Sequence, residues 1–257
     1  MDRRAFISAS SGAAAATLLA STERTQAQGR ARDFYELRTY AIDTEEQKRV
    51  LGAYLEHVAI PAFNRIDIAP VGVFEPMEGQ GALVVLLRHP SAESFATATH
   101  RLLADGVYLT EGSDFLNTSA DNPAYSRIET SFMVAFEGMP LLERNLTSPG
   151  RVFEMRNYES YNVDAGQRKV AMFNNGEIGV MEDVGMNPVF YGEHLAGPVM
   201  PNLTYMLSYD GMDARTRAWE RFGDHPTWQR MRSDPAYADT VSNITATFLK
   251  PMSYSQV

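Results

Sequence analysis

Apolar and polar positions alternate along residues 34–40, "FYELRTY", and again along 152–158, "VFEMRNY". A period of two predicts a strand with two chemically different faces. Glu36, Arg38 and Tyr40 share one face of the first strand, and Glu154, Arg156 and Tyr158 share one face of the second. Tyr35 and Leu37, or Phe153 and Met155, lie on the opposite face. After the first strand the period changes. Leu51, Tyr54, Leu55, Val58, Ala62 and Phe63 recur at helical spacing behind a capping box of Thr44 and Gln47. "VGVFEP" after Pro70 and the longer "GALVVLLRH" read as further strands. A helix from Pro90 to about Leu103, an irregular stretch and the strand "SRIETSFMVAF" complete the series.

The series is then written a second time. Residues 69–74 lie over 187–192, 83–94 over 203–214 with a small shift, and 128–133 over 244–249. Four blocks recurring in one order are an internal duplication. Two domains are expected, 33–137 and 150–257, joined by a linker at 138–149 that is punctuated by Pro and Gly. Each reads strand–helix–strand–strand–helix–strand, the ferredoxin-like order, with a four-stranded antiparallel sheet and both helices on one face. The bare sheet face must be covered. Two copies in one chain can cover each other, which predicts an α+β fold closing into an intramolecular α/β barrel. On this reading the charged strand faces point between the two sheets, and Tyr35, Leu37, Phe153 and Met155 pack beneath the helices.

These strands, together with "YMLSYDGMDARTRAWERFGDHPTWQRM" at 205–231, resemble the NIPSNAP family, part of the dimeric α/β-barrel group of folds. The resemblance spans nearly the whole chain after its first thirty residues, as two tandem modules. Tyr209, Arg215 and Trp228 stand where the family pattern favours those residue types, whereas the first copy has His89 and no tryptophan. The resemblance implies the barrel but no reaction. Relatives of the fold include cofactor-less monooxygenases, haem-handling enzymes and lactone isomerases, and fold alone does not choose among them.

The first residues follow a different logic. Arg3 and Arg4 precede Phe6 and Ile7, and "GAAAATLLA" at 12–20 is too short and too small-chained to span a bilayer. With Asp2 in place of the usual Ser or Thr, residues 1–27 resemble a twin-arginine signal peptide, which predicts a periplasmic or secreted protein. The absence of cysteine excludes disulfides, thiol catalysis and Cys-held metal centres. A net charge of −9 with no basic cluster argues against nucleic acid as a partner. No membrane insertion of the mature chain is expected, and homo-oligomerisation stays open.

Candidate chemistry is sparse. Glu36, Arg38, Tyr40, Glu154, Arg156 and Tyr158 are the cavity and ligand-binding candidates, because a carboxylate beside a guanidinium can orient a polar ligand. The competing reading is a self-satisfied strut, since buried charges occur with partners. The five histidines show no metal-binding spacing, so no metal site is expected. His57, late in the first helix, and His194, in the "YGEHLAGP" loop, are the proton-transfer candidates. No cofactor is expected, although either histidine could serve as an axial haem ligand. Trp219 and Trp228 are expected to anchor the last helix and its following turn to the core. The reading is thus an exported protein binding a small, partly apolar ligand between its sheets, with a barrel-type monooxygenase or isomerase, or an assembly module, as the alternatives.

Overall fold

Two ferredoxin-like repeats close into one eight-stranded barrel. The computed structural model describes residues 31–79 and 81–257. The predicted signal at 1–27 lies outside them. The first repeat runs β1 (Phe34–Ala41), α1 (45–65), β2 (Val71–Pro76), β3 (Ala82–His89), α2 (Ala92–Leu103), short helices α3 (Gly106–Glu111) and α4 (Ser113–Leu116), and β4 (Arg127–Ala135). The second runs β5 (Val152–Glu159), α5 (163–183), β6 (Asn187–Ala196), β7 (Asn202–Tyr209), α6 (Met212–Asp224), α7 (Pro226–Arg232) and β8 (Asn243–Pro251).

Local chemistry starts the long helices. Thr44 Oγ1 accepts from the Gln47 backbone N–H at 3.1 Å, and Gln47 returns a bond to the Asp43 N–H at 2.8 Å. Asn162 caps α5 through the Ala165 N–H at 2.9 Å. Each long helix also widens into a five-residue π turn at the same place in its repeat, Leu55–Ala59 in α1 and Phe173–Glu177 in α5. No helix among the described residues is long and apolar enough to cross a membrane.

The strands close in the order β1-β3-β2-β8-β5-β7-β6-β4, and their register is that of a two-fold. Glu36 lies between Leu87 and Phe132, as Glu154 lies between Leu207 and Phe248. Phe74 faces Val84, as Gly192 faces Thr204. The two repeats meet at matching seams, where Pro76 opposes Leu249 and His194 opposes Met133. Each repeat's last strand also sends its exit segment to the other repeat. The Phe136 N–H donates to Tyr191 O at 3.0 Å, and the Met252 N–H donates to Val73 O at 2.9 Å. Phe136 and Met139 thereby join the second repeat's sheet–helix core, while Met252 and Tyr254 pack on the first's.

The barrel interior is solid. Tyr35, Phe74, Leu86, Met133, Phe153, Phe190 and Met206 fill it, with Leu37 and Met155 at its margin. Tyr35 meets Phe190 at 4.8 Å and Phe74 meets Phe153 at 4.9 Å between ring centroids. This corrects the orientation expected from sequence: the apolar face of β1 and β5 points between the sheets, and Glu36, Arg38, Tyr40, Glu154, Arg156 and Tyr158 lie under the helices. The reason is the relative dryness of the two layers. A barrel packed with apolar side chains offers no charged partner to an inward carboxylate or guanidinium, so it takes the apolar face. Amphipathic helices bring their own polar side chains to the other layer.

Candidate functional site

The second repeat's sheet–helix layer is organised around Glu154. Its carboxylate is fully buried and receives Arg156 Nη1 at 2.7 Å, Arg215 Nη2 at 2.8 Å, Arg215 Nε at 2.9 Å and Trp219 Nε1 at 2.8 Å. β5 supplies Glu154 and Arg156, while α6 brings Arg215 and Trp219 down onto them one turn apart. Burial alone pushes the Glu154 carboxyl up, but the bonds from Arg215, Trp219 and Arg156 bring it below its ordinary value. Arg156 stacks on Trp219 at 4.7 Å, and Arg215 lies between Trp219 and Phe248 at 5.6 and 5.2 Å. The two arginines are not sealed in: 15% of the Arg156 side chain and 24% of that of Arg215 remain exposed.

Deeper in the same layer, Lys169 Nζ donates to Glu177 at 2.6 Å. It sits among the rings of Phe173, Tyr158 and Trp228 at 4.7, 5.5 and 5.7 Å. Burial pushes the Glu177 carboxyl up even with that ammonium beside it. Tyr158 connects the two clusters, since Arg156 Nε donates to its hydroxyl at 3.3 Å and Tyr205 shares a hydrogen bond with it at 2.9 Å. The Tyr209 hydroxyl is buried without a partner, and burial raises it well above the ordinary tyrosine value.

The barrel register allows the same places to be read in the first repeat. Glu36, Arg38 and Tyr40 recur, with Arg38 Nε donating to Glu36 at 2.5 Å. His89 stands in place of Tyr209 and shares a 3.1 Å bond with Glu36. The remainder is apolar or plain. Val73 and Val85 replace Tyr191 and Tyr205, Leu51 replaces Lys169, and Ala59 replaces Glu177. Counting from the helix N-caps Ser91 and Gly211, Phe95 replaces Arg215 and Thr99 replaces Trp219. The first repeat's layer therefore keeps the Glu36–Arg38 pair but carries apolar or small residues at the places of Lys169, Glu177 and Arg215. Sequence reasoning passed over Lys169, Glu177, Tyr191 and Tyr205. The signal available was a charged residue at a core position of one repeat where its partner repeat has Leu or Ala.

The two predicted histidines do not converge. His57 is exposed on α1, beside Glu56 at 3.8 Å, at the edge of a groove of about 480 Å³ floored by Val50, Tyr54 and Phe115. His194 is not in a loop; it lies within β6, buried, with Nε2 bonded to Thr204 Oγ1 at 2.8 Å. The loop expectation followed the glycines of "YGEHLAGP", but Gly192 is a strand residue whose missing Cβ makes room for Met133, 2.9 Å from where that atom would stand. Trp219 and Trp228 were expected only to anchor the last helix. Both do pack at the core margin, and Trp219 additionally bonds Glu154. Among the described residues no group of three or more His, Asp or Glu is placed to hold a metal ion.

The NIPSNAP family model matches residues 35–137 and 153–256. No curated protein matches this sequence. Among solved structures, a candidate monooxygenase from Fusobacterium nucleatum is 6% identical with a TM-score of 0.57, over 86% of this chain and 93% of that one. A candidate monooxygenase from Lactobacillus acidophilus is 8% identical with a TM-score of 0.56, over 86% and 94%. At such identity the likeness is one of fold. An uncharacterised NIPSNAP-like domain protein from Burkholderia xenovorans is 19% identical with a TM-score of 0.38, over 43% of this chain and 92% of its own.

Proposed function

The chain belongs to the NIPSNAP family, and we propose that this member is an exported protein that binds a small, flat organic anion in its second repeat. The ligand lies between sheet and helices rather than between the two sheets, held by Arg156 and Arg215 against the face of Trp219. The observation that carries this reading is the asymmetry of the duplication. In the second repeat Arg156, Arg215 and Lys169 outnumber Glu154 and Glu177, leaving one positive charge in excess; in the first, Glu36 and Arg38 balance. An uncompensated cation in a half-dry layer favours an anionic partner. Each guanidinium keeps N–H donors beyond those spent on Glu154 and Tyr158, and their exposed fraction makes them reachable. The aromatic wall suits a flat, partly apolar body. Export is supported by Arg3-Arg4 and the short apolar run at 12–20.

Mass spectrometry of small molecules carried by the protein isolated from its native host tests this. A carboxylate or phenolate compound enriched on the unaltered protein and absent from Arg215→Ala is expected; equal recovery from both would sink the reading.

A second reading is catalysis, in which the same arginines hold a substrate enolate and Glu177 exchanges the proton. The raised Glu177 carboxyl favours it, as do two neighbours of the same fold carrying monooxygenase names. Turnover of the recovered compound without added cofactor separates enzyme from carrier.

A further inference from the structure

We infer that the first repeat carries a site of its own, a groove between α1 and the segment from α3 to β4, that takes an aromatic amine in its ammonium form. Comparison of the repeats shows how the groove arises. In the second repeat two side chains of α5 bridge to the turn before β8. Arg168 Nη1 donates to the Ala236 and Ala238 carbonyls at 3.0 and 2.9 Å, and Asn175 Nδ2 donates to the Tyr237 hydroxyl at 3.1 Å. Counting from the helix N-caps Asn162 and Thr44, Val50 and His57 take the places of Arg168 and Asn175. Valine has no donor for such a bridge, and His57 lies 3.8 Å from Glu56 on its own helix. Gln47 Nε2 does reach across to the Pro123 carbonyl at 3.0 Å, and beside that bond the groove of about 480 Å³ stays open. Small-molecule sites span roughly 300–1,000 Å³.

The lining says which ligand fits. Val50, Ala53, Val58 and Ala124 give an apolar surface. Tyr54 and Phe115 add an aromatic one, half-buried and stacked with ring centroids 3.6 Å apart and planes within 2° of parallel. The charges around this surface are one-sided. Arg49 is bound to Glu46 through two N–H groups at 2.6 and 2.8 Å, so that pair cancels. Glu111 and Asp114 also line the groove, and among the described residues neither enters an ion pair, the groove's other charge contacts being Arg49–Glu46 and His57–Glu56. Two uncompensated carboxylates beside an apolar, aromatic surface complement a ligand with a flat body and a positive charge. The ring packs against the apolar lining, and the ammonium group answers Glu111 and Asp114. The same carboxylates repel an anion, which separates this groove in chemistry as well as in place from the arginine layer of the second repeat.

The test is a calorimetric titration of the full chain with 2-phenylethylammonium chloride, set against 2-phenylethanol, which carries the same ring without the charge. Saturable binding of the amine is expected, with the alcohol at least about tenfold weaker, equivalent to about 1.4 kcal/mol. Val50→Arg writes the second repeat's residue into the groove and should abolish binding. The double variant Glu111→Gln, Asp114→Asn leaves the groove's shape in place and should weaken binding by about tenfold as well. None of the three positions is buried, so melting temperatures should stay near that of the parent, and the double variant carries the test should Val50→Arg fail to fold. No saturable binding in the parent, equal affinity for amine and alcohol, or unchanged affinity in either folded variant would overturn the proposal.

Discussion

Lys169 and Glu177 are the two residues whose presence the fold does least to explain. They pair at 2.6 Å with 5% and 2% of their side chains exposed, where the first repeat has Leu51 and Ala59. A buried pair is a poor source of stability, but a half-pair is far worse. Lys169→Leu alone, or Glu177→Ala alone, is expected to cost about 3–5 kcal/mol by stranding the other charge. The double variant, which rewrites the first repeat's pair, should cost much less than the sum, and denaturant unfolding of the four proteins measures the coupling. Additive losses would show that the two charges do not depend on each other. His194 gives a pH signature of the same kind. Burial holds its pKa down at about 4 against an ordinary 6.5. As pH falls below 6.5 the unfolded chain takes up this proton first, so stability is full above that pH and is lost toward pH 4. The loss amounts to roughly 3 kcal/mol, and His194→Gln should flatten that limb; an unchanged acid limb would contradict a buried neutral imidazole. At this scale the sequence exposed the pairing of Glu36 with Arg38 and of Glu154 with Arg156. It could not expose their direction, because a period of two distinguishes faces without saying which is the drier.

Elements were far more legible than their surroundings. Alternation located β1 and β5, the Thr44–Gln47 box located the start of α1, and the duplicated order of blocks carried the whole barrel. What the pattern could not carry was the exchange of exit segments. Met252 and Tyr254 end one repeat in sequence but pack in the other's core, and no local periodicity encodes a contact with a distant partner. The exchange has a consequence for stability. Gln256 and Ser255 cap the β2 backbone through side-chain bonds to the Val71 and Val73 N–H groups at 2.8 and 3.0 Å, and Val257 is buried against the barrel interior. Ending the chain at Pro251 removes three packed side chains and should cost roughly 3 kcal/mol or more. Hydrogen exchange should show the loss first in α1 and β2, which belong to the repeat remote in sequence; loss of protection confined to β8 would contradict the exchange.

Across the whole molecule, duplication separated two tasks that a single ferredoxin-like unit would have to combine. Both copies contribute equally to the barrel, which needs apolar faces from each, and the matched seams leave neither sheet uncovered. Only the second copy has a buried ammonium and a second arginine in its outer layer. The two tryptophans of the chain, Trp219 and Trp228, both lie in that layer and report on it. The most direct test is a benzoate titration followed by tryptophan fluorescence in the parent, Arg215→Ala and Arg38→Ala. Saturable binding is expected in the parent, unchanged affinity in Arg38→Ala, and at least about tenfold weaker binding in Arg215→Ala, a loss of about 1.4 kcal/mol. No saturable binding in the parent, or equal weakening in the two variants, would contradict an anion site in the second repeat.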